Sequence, residues 1–205
     1  MRWDRFFEDL EDQLDSEWEA ERAALDTEAE RLRLSRLPLH DRLVALAAAS
    51  TDTSVELVGG TVLAGTIARV GPDWVAVACA PGAAALRATG RTMWIVPLGA
   101  LTTIALPADA LLASVRDADA GSAFVQRMGL GFVLRDLVRR RIPVTAQLVS
   151  GRTLGGTIDR AGADHLDLAL HEPGAPRRAG NVTGYRVVPF AALSAVRLDA
   201  DADLV

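Results

Sequence analysis

Leu57-Val58-x-Gly60-x-x-Leu63-x-Gly65-Thr66-Ile67-x-Arg69-x-Gly71-x-Asp73 recurs as Leu148-Val149-x-Gly151-x-x-Leu154-x-Gly156-Thr157-Ile158-x-Arg160-x-Gly162-x-Asp164, ninety-one residues further on. Self-similarity at a fixed offset constrains architecture before any single side chain is interpreted. The offset is too long for a solenoid repeat and suits a small domain with its connection. A chain of 205 residues therefore reads as one module written twice.

Working outward, apolar residues alternate within each copy and glycine punctuates them. Gly60 and Gly151 stand where a hairpin turns, and Gly71 and Gly162 at the next turn. Gly65 and Gly156 fall inside a strand, where a bend or a close backbone approach is implied. Pro81-Gly82-Ala83 and Pro173-Gly174-Ala175 match at an offset of ninety-two, so one residue has been inserted before that loop. Ile95-Val96-Pro97-Leu98 through Leu106 and Val187-Val188-Pro189-Phe190 through Leu198 then supply two short strands around a central proline. Before the first copy, Leu39, Leu43, Val44 and Ala47 form a helical face. Before the second, Phe124, Met128, Phe132, Leu134 and Leu137 do the same up to Pro143. A helix followed by about five short, glycine-bent strands predicts a small closed barrel rather than a sandwich.

The glycines and acid at Gly60, Gly65 and Asp73, and again at Gly151, Gly156 and Asp164, resemble the first motif of the Sm-like family (LSm and Hfq). Roughly residues 39–106 and 123–198 share that layout, which other SH3-like barrels also have. The resemblance implies a mainly β fold with helices (α+β): two tandem Sm-like or SH3-like barrels, each preceded by a helix. RNA-binding members carry an Asn shortly after the Asp and basic residues in a second motif. Here Asp73 leads to Trp74-Val75 and Asp164 to His165-Leu166, and Val96-Pro97-Leu98 and Val188-Pro189-Phe190 are not basic. The implied fold can carry over without the RNA pocket. With its Met1-Arg2-Trp3-Asp4 opening, the whole chain also resembles an actinobacterial family of high-GC Gram-positive bacteria, a resemblance that implies no activity.

Trp3, Phe7, Leu10, Leu14, Trp18, Leu25 and Leu32 recur at three-, four- and seven-residue intervals with no Pro or Gly before Pro38, which predicts an amphipathic helix of about thirty residues. Its length, roughly 45 Å, exceeds the width of a small barrel. The stripe therefore either meets a partner helix, with Trp3, Phe7, Leu10, Leu14 and Trp18 as the oligomer face, or folds back over both barrels. Residues 1–36 carry twelve acidic side chains against six arginines, so the net charge of −5 is local to this segment. The expected organisation is an acidic helix (1–36), a first helix-plus-barrel (37–109), a second (110–198) and an acidic tail (199–205). No secretory leader pattern or long uninterrupted apolar stretch is present, from which a soluble cytoplasmic protein is expected.

Little in the chain points to catalysis. Cys79, the single cysteine, aligns with Leu170 and reads as a packed strand thiol. No Gly-x-Ser-x-Gly elbow occurs, and Gly129-x-Gly131 lacks the preceding strand and third glycine of a nucleotide fingerprint, marking instead a close helix contact or a break. His165, Asp167 and His171 sit near one strand end, but the first copy has Trp74 and Ala76 at the first two places. Asp199-x-Asp201-x-Asp203 lacks the Gly and Glu of a calcium loop. No enzyme activity, cofactor or metal is expected.

Two features concern binding. Arg135, Arg139, Arg140 and Arg141 follow Arg127, and Arg177 and Arg178 lie in a later loop, so the second copy carries a basic surface. The same arginines would serve equally to complement the helix dipole and pair with acids. Trp74 and Trp94 correspond to His165 and Arg186, while Tyr185 follows a loop. Such aromatics either stack on bases or a peptide, or close the barrel. The leading expectation is a non-catalytic interaction module that self-assembles as a homo-oligomer or binds a protein partner through its N-terminal helix and strand edges. The alternative is an RNA-binding regulator that uses Arg135, Arg139, Arg140, Arg141, Arg177, Arg178, Trp74, Trp94 and Tyr185.

Overall fold

The computed structural model describes residues 22, 26–80, 92–115 and 127–198. From His40 onward these form one compact unit, built on a single antiparallel sheet. In chain order the elements are α1 (Leu39–Ala48), β1 (Asp52–Leu57), β2 (Val62–Val70), β3 (Trp74–Cys79), β4 (Thr92–Pro97), β5 (Leu101–Ala105) and α2 (Ala108–Ala113), then α3 (Leu130–Arg140), β6 (Pro143–Leu148), β7 (Thr153–Ala161), β8 (His165–Leu170), β9 (Gly184–Pro189) and β10 (Leu193–Leu198).

The duplication holds down to the strand register. Asp52 faces Thr66 as Pro143 faces Thr157, and Trp74 faces Pro97 as His165 faces Pro189. Even the irregularity between Ile67 and Arg69 is repeated between Ile158 and Arg160. The interior glycines explain part of this fidelity. A Cβ on Gly65 would overlap the Ala78 carbonyl oxygen, and one on Gly156 would overlap that of Ala169, so neither position admits a side chain at this strand spacing. Gly60 and Gly151 close the first hairpins at φ +79° and +80°, a left-handed backbone that costs other residues energy.

Each copy places a helix against its sheet. In α3, Leu130, Val133, Leu134 and Leu137 are buried at positions i, i+3, i+4 and i+7, one continuous helical face. In α1 the buried residues are Leu43 and Leu46. Ser50 and Arg141, equivalent residues just past these helices, both take a left-handed φ, so the two chain reversals match as well. The second helix is shorter than the sequence suggests. It begins at Leu130, Met128 lies before it, Phe132 is exposed, and Phe124 lies outside the described residues.

The prediction of two closed barrels is overturned. The ten strands run β5-β1-β2-β3-β4-β10-β6-β7-β8-β9 in one open sheet. In each copy the chain turns through Pro97 or Pro189 and a short 3-10 segment, which carries the last strand to the far side, where it pairs with the first. The fourth strand is thereby left as an edge. In the first copy β10 takes that edge, with Ile95 opposite Val196, Trp94 opposite Arg197 and Met93 opposite Leu198. Backbone donors and acceptors on β4 thus gain partners from the second copy instead of from a closure within the first.

The expected thirty-residue N-terminal helix is corrected too. Among the described residues preceding Pro38, helix covers residue 22 and residues 26–35. Leu32, on the expected apolar stripe, is exposed. Trp3, Phe7, Leu10, Leu14, Trp18 and Leu25 lie outside the described residues, as do Pro81 to Ala83 and the acidic tail. No described helix is long and apolar enough to cross a membrane.

Candidate interface at the sheet edges

The joint between the copies shows what this module does with an open edge. Trp74, Ala76 and Ile95 of the first copy belong to the hydrophobic core of the second, and Ala195 of the second belongs to that of the first. Polar contacts frame the apolar centre. The Ser194 hydroxyl donates to the Val58 carbonyl at 2.9 Å, and the Gln147 amide donates to the Thr61 hydroxyl. Asp73 reaches across to the start of α3, where its Oδ1 accepts from the Leu130 backbone N–H at 2.8 Å. The Trp74 indole N–H donates to the Met128 carbonyl at 2.6 Å. A carboxylate at a helix N-terminus satisfies an otherwise unpaired donor and complements the dipole. The Arg197 guanidinium lies 5.9 Å from the centre of the Trp94 ring.

Duplication then gives residues of the joint counterparts around the outer edges of the sheet. Among the described residues, β5 pairs only with β1 and β9 only with β8. On β9, Val187 stands where β4 has Ile95, and it is 69% exposed where Ile95 is 0% exposed. Tyr185, the counterpart of Met93, is 60% exposed. Asp164 and His165 replace Asp73 and Trp74. Among the described residues no helix N-terminus meets them as that of α3 meets Asp73; they pair with each other at 2.9 Å, and the His165 hydrogen bond holds the Asp164 carboxyl below its ordinary range. At the opposite end, Ile104 and Leu106 of the β5 segment are the half-buried counterparts of Val196 and Leu198.

The other residues singled out by sequence fall into three groups. Trp74 and Trp94 are each about 1% exposed, so neither offers a face to a base; Tyr185 does stand open. Trp74 is buried in the core of the second copy, with Met128 and the α3 leucines, and Trp94 in that of the first with Ala195, and alternation of residues within one copy does not reveal the former. The arginines are mostly engaged: Arg139 and Arg140 both donate to Asp136, itself buried on α3, and Arg135 donates to the Gly162 carbonyl at 3.3 Å. Arg177 grips Asp159 through two nitrogens, one at 2.7 Å, and holds that carboxyl low. Asp159 was not picked out by sequence reading, although it occupies the irregular position of β7 where the first copy has Ala68. Arg139, Arg141 and Arg177 share a cavity of about 440 Å³ with Thr157 and Asp159, while Arg178 is exposed on the loop.

His165, Asp167 and His171 do not converge. His171 is buried, its Nε2 2.9 Å from the Thr157 hydroxyl and its Nδ1 3.1 Å from the Glu172 carbonyl, to which Nδ1 donates. His165 is out on the edge. Among the described residues no group of three or more His, Cys, Asp or Glu side chains is placed to hold a metal. Gly129 and Gly131 lie at the start of α3, Gly129 as its N-cap beside the Asp73 carboxylate. Comparisons of the chain with protein-family models, with curated proteins and with solved structures found no match.

Proposed function

We propose that the chain is a self-assembling interaction module, in which β9 of one molecule pairs with β5 of the next as β4 pairs with β10 within each molecule. The single observation that carries this reading is the exposure of Val187 at the position whose counterpart, Ile95, is the buried centre of the internal joint. An exposed apolar residue on a strand with one open edge is a ready template for pairing. Transferring the internal register predicts Val187 opposite Ile104, Arg186 opposite Ala105 and Tyr185 opposite Leu106 of the neighbour. Pro189 is no obstacle, because its counterpart Pro97 lies in β4, beyond the three registered pairs with β10. The contact is heterologous, so it builds rings or filaments rather than two-fold dimers.

Counterparts at the outer ends are more polar than at the joint: His165 for Trp74, Asp167 for Ala76, Arg186 for Trp94. The contact between molecules is accordingly weaker than the one within them. An RNA-binding reading draws less support, because three of its six arginines, Arg139, Arg140 and Arg177, are paired to carboxylates and its tryptophans are buried. Light scattering of the full chain tests the proposal. Masses well above the 21.8 kDa of one chain are expected, falling towards that value in Val187→Asp. A monomer at the highest soluble concentration, or assemblies untouched by Val187→Asp, would reject edge pairing.

A further inference from the structure

The internal joint places Gln147, on β6, against Thr61, in the first hairpin of the other copy. Gln147 is the counterpart of Glu56 and Thr61 the counterpart of Arg152, both at the offset of ninety-one. Wherever β9 of one molecule meets β5 of the next, the neutral pair Gln147 and Thr61 is therefore replaced by a carboxylate and a guanidinium. We infer that the interface between copies is locked by an ion pair from Glu56 of one molecule to Arg152 of its neighbour, an inference that rests on the edge-pairing reading above. Arg152 is exposed at the tip of its hairpin and Glu56 is half-buried on β1. The Thr103 hydroxyl donates to Glu56 Oε2 at 2.8 Å, which fixes the carboxylate at the β5 end and leaves Oε1 to accept from a guanidinium.

The pair does more than add attraction. Within one molecule the two groups lie in different copies, Glu56 on β1 beside the open β5 edge and Arg152 in the β6–β7 hairpin of the copy that carries the open β9 edge, so each goes with one of the two edges. Ends of the same kind repel through Glu56 against Glu56 or Arg152 against Arg152, and only unlike ends attract. Polarity of assembly is thereby written in charge, while the neutral pair inside the chain needs no such instruction, because the polypeptide already fixes the order of the copies. The outer Asp164 adds to the same polarity. In the neighbour it faces the start of α1, the counterpart of the α3 N-terminus that Asp73 caps.

Charge reversal tests the inference on the full chain. Glu56→Arg alone and Arg152→Glu alone each place like charges at every contact, and each should raise the half-assembly concentration roughly three- to thirtyfold. An equimolar mixture of the two variants restores unlike charges at every contact if molecules alternate, and it should assemble to within about threefold of the unmodified chain. The doubly exchanged chain should do likewise, and all of these differences should shrink in high salt. Far-UV circular dichroism checks that each variant is folded. If the unmodified chain assembles and Val187→Asp disrupts it while the charge variants behave as wild type, or the mixture fails to recover, the ion pair is wrong and edge pairing survives. If the unmodified chain is monomeric, edge pairing falls and takes the inference with it.

Discussion

Cys79 lies on β3 opposite Gly65, 1% exposed, and burial pushes its thiol from an ordinary value of 9.0 up to about 11. The sign of the linkage follows from that direction. The unfolded chain loses the thiol proton near 9 and the folded chain only near 11, so the contribution to stability is complete below pH 9 and declines as pH rises through this interval. The stability difference between the native chain and Cys79→Ala, followed by urea unfolding, should shrink between about pH 9 and 11. A difference that stays constant over that range would mean the thiolate is not desolvated in the fold. The thiol's position was legible from its alignment with Leu170, since a residue replaced by leucine in a twin strand is a core residue. The fate of Trp74 and Trp94 was not legible, because aromatic side chains at strand ends cover a core or face solvent depending on what lies beyond the strand.

Among the elements, α3 shows both the reach and the limit of periodicity. Leu134 and Leu137 follow from spacing alone, and both are buried. Phe132 shares the same apolar character yet is exposed, because it stands two residues from both Leu130 and Leu134 and so on the opposite face of the helix. Leu134→Ala should cost about 2–5 kcal/mol, while Phe132→Ala should cost under about 1 kcal/mol. Urea midpoints of the two variants decide the matter, and comparable losses would show that the helix face has been misassigned. The paired arginines at the end of α3 teach a similar lesson: a basic run is visible in sequence, whereas its neutralisation by Asp136 depends on a helical turn, and that of Arg177 on Asp159 across a loop.

At the scale of the molecule, the shared cores make the copies interdependent. Trp74, Ala76 and Ile95 complete the second core and Ala195 the first, so neither copy can unfold without exposing apolar surface of the other. Urea unfolding should be a single transition in which tryptophan fluorescence and far-UV circular dichroism coincide. Two separated transitions would show that β4 and β10 merely touch. Cooperative unfolding also matters for assembly, because a rigid pair of copies presents both outer edges in a fixed relation.

The sequence by itself determined the duplication, the alternating strands, the glycine positions and the helix before each copy, since these rest on local patterns written twice. What tertiary structure alone decided was how the two copies share their strands. Pairing between β4 and β10 is a contact between segments about a hundred residues apart, made through backbone groups that every strand possesses, so no side-chain pattern announces it. Once that contact is known, the same residues in the second copy acquire a meaning they lacked. Val187, Arg152 and Asp164 become the outer counterparts of a joint already visible within the chain.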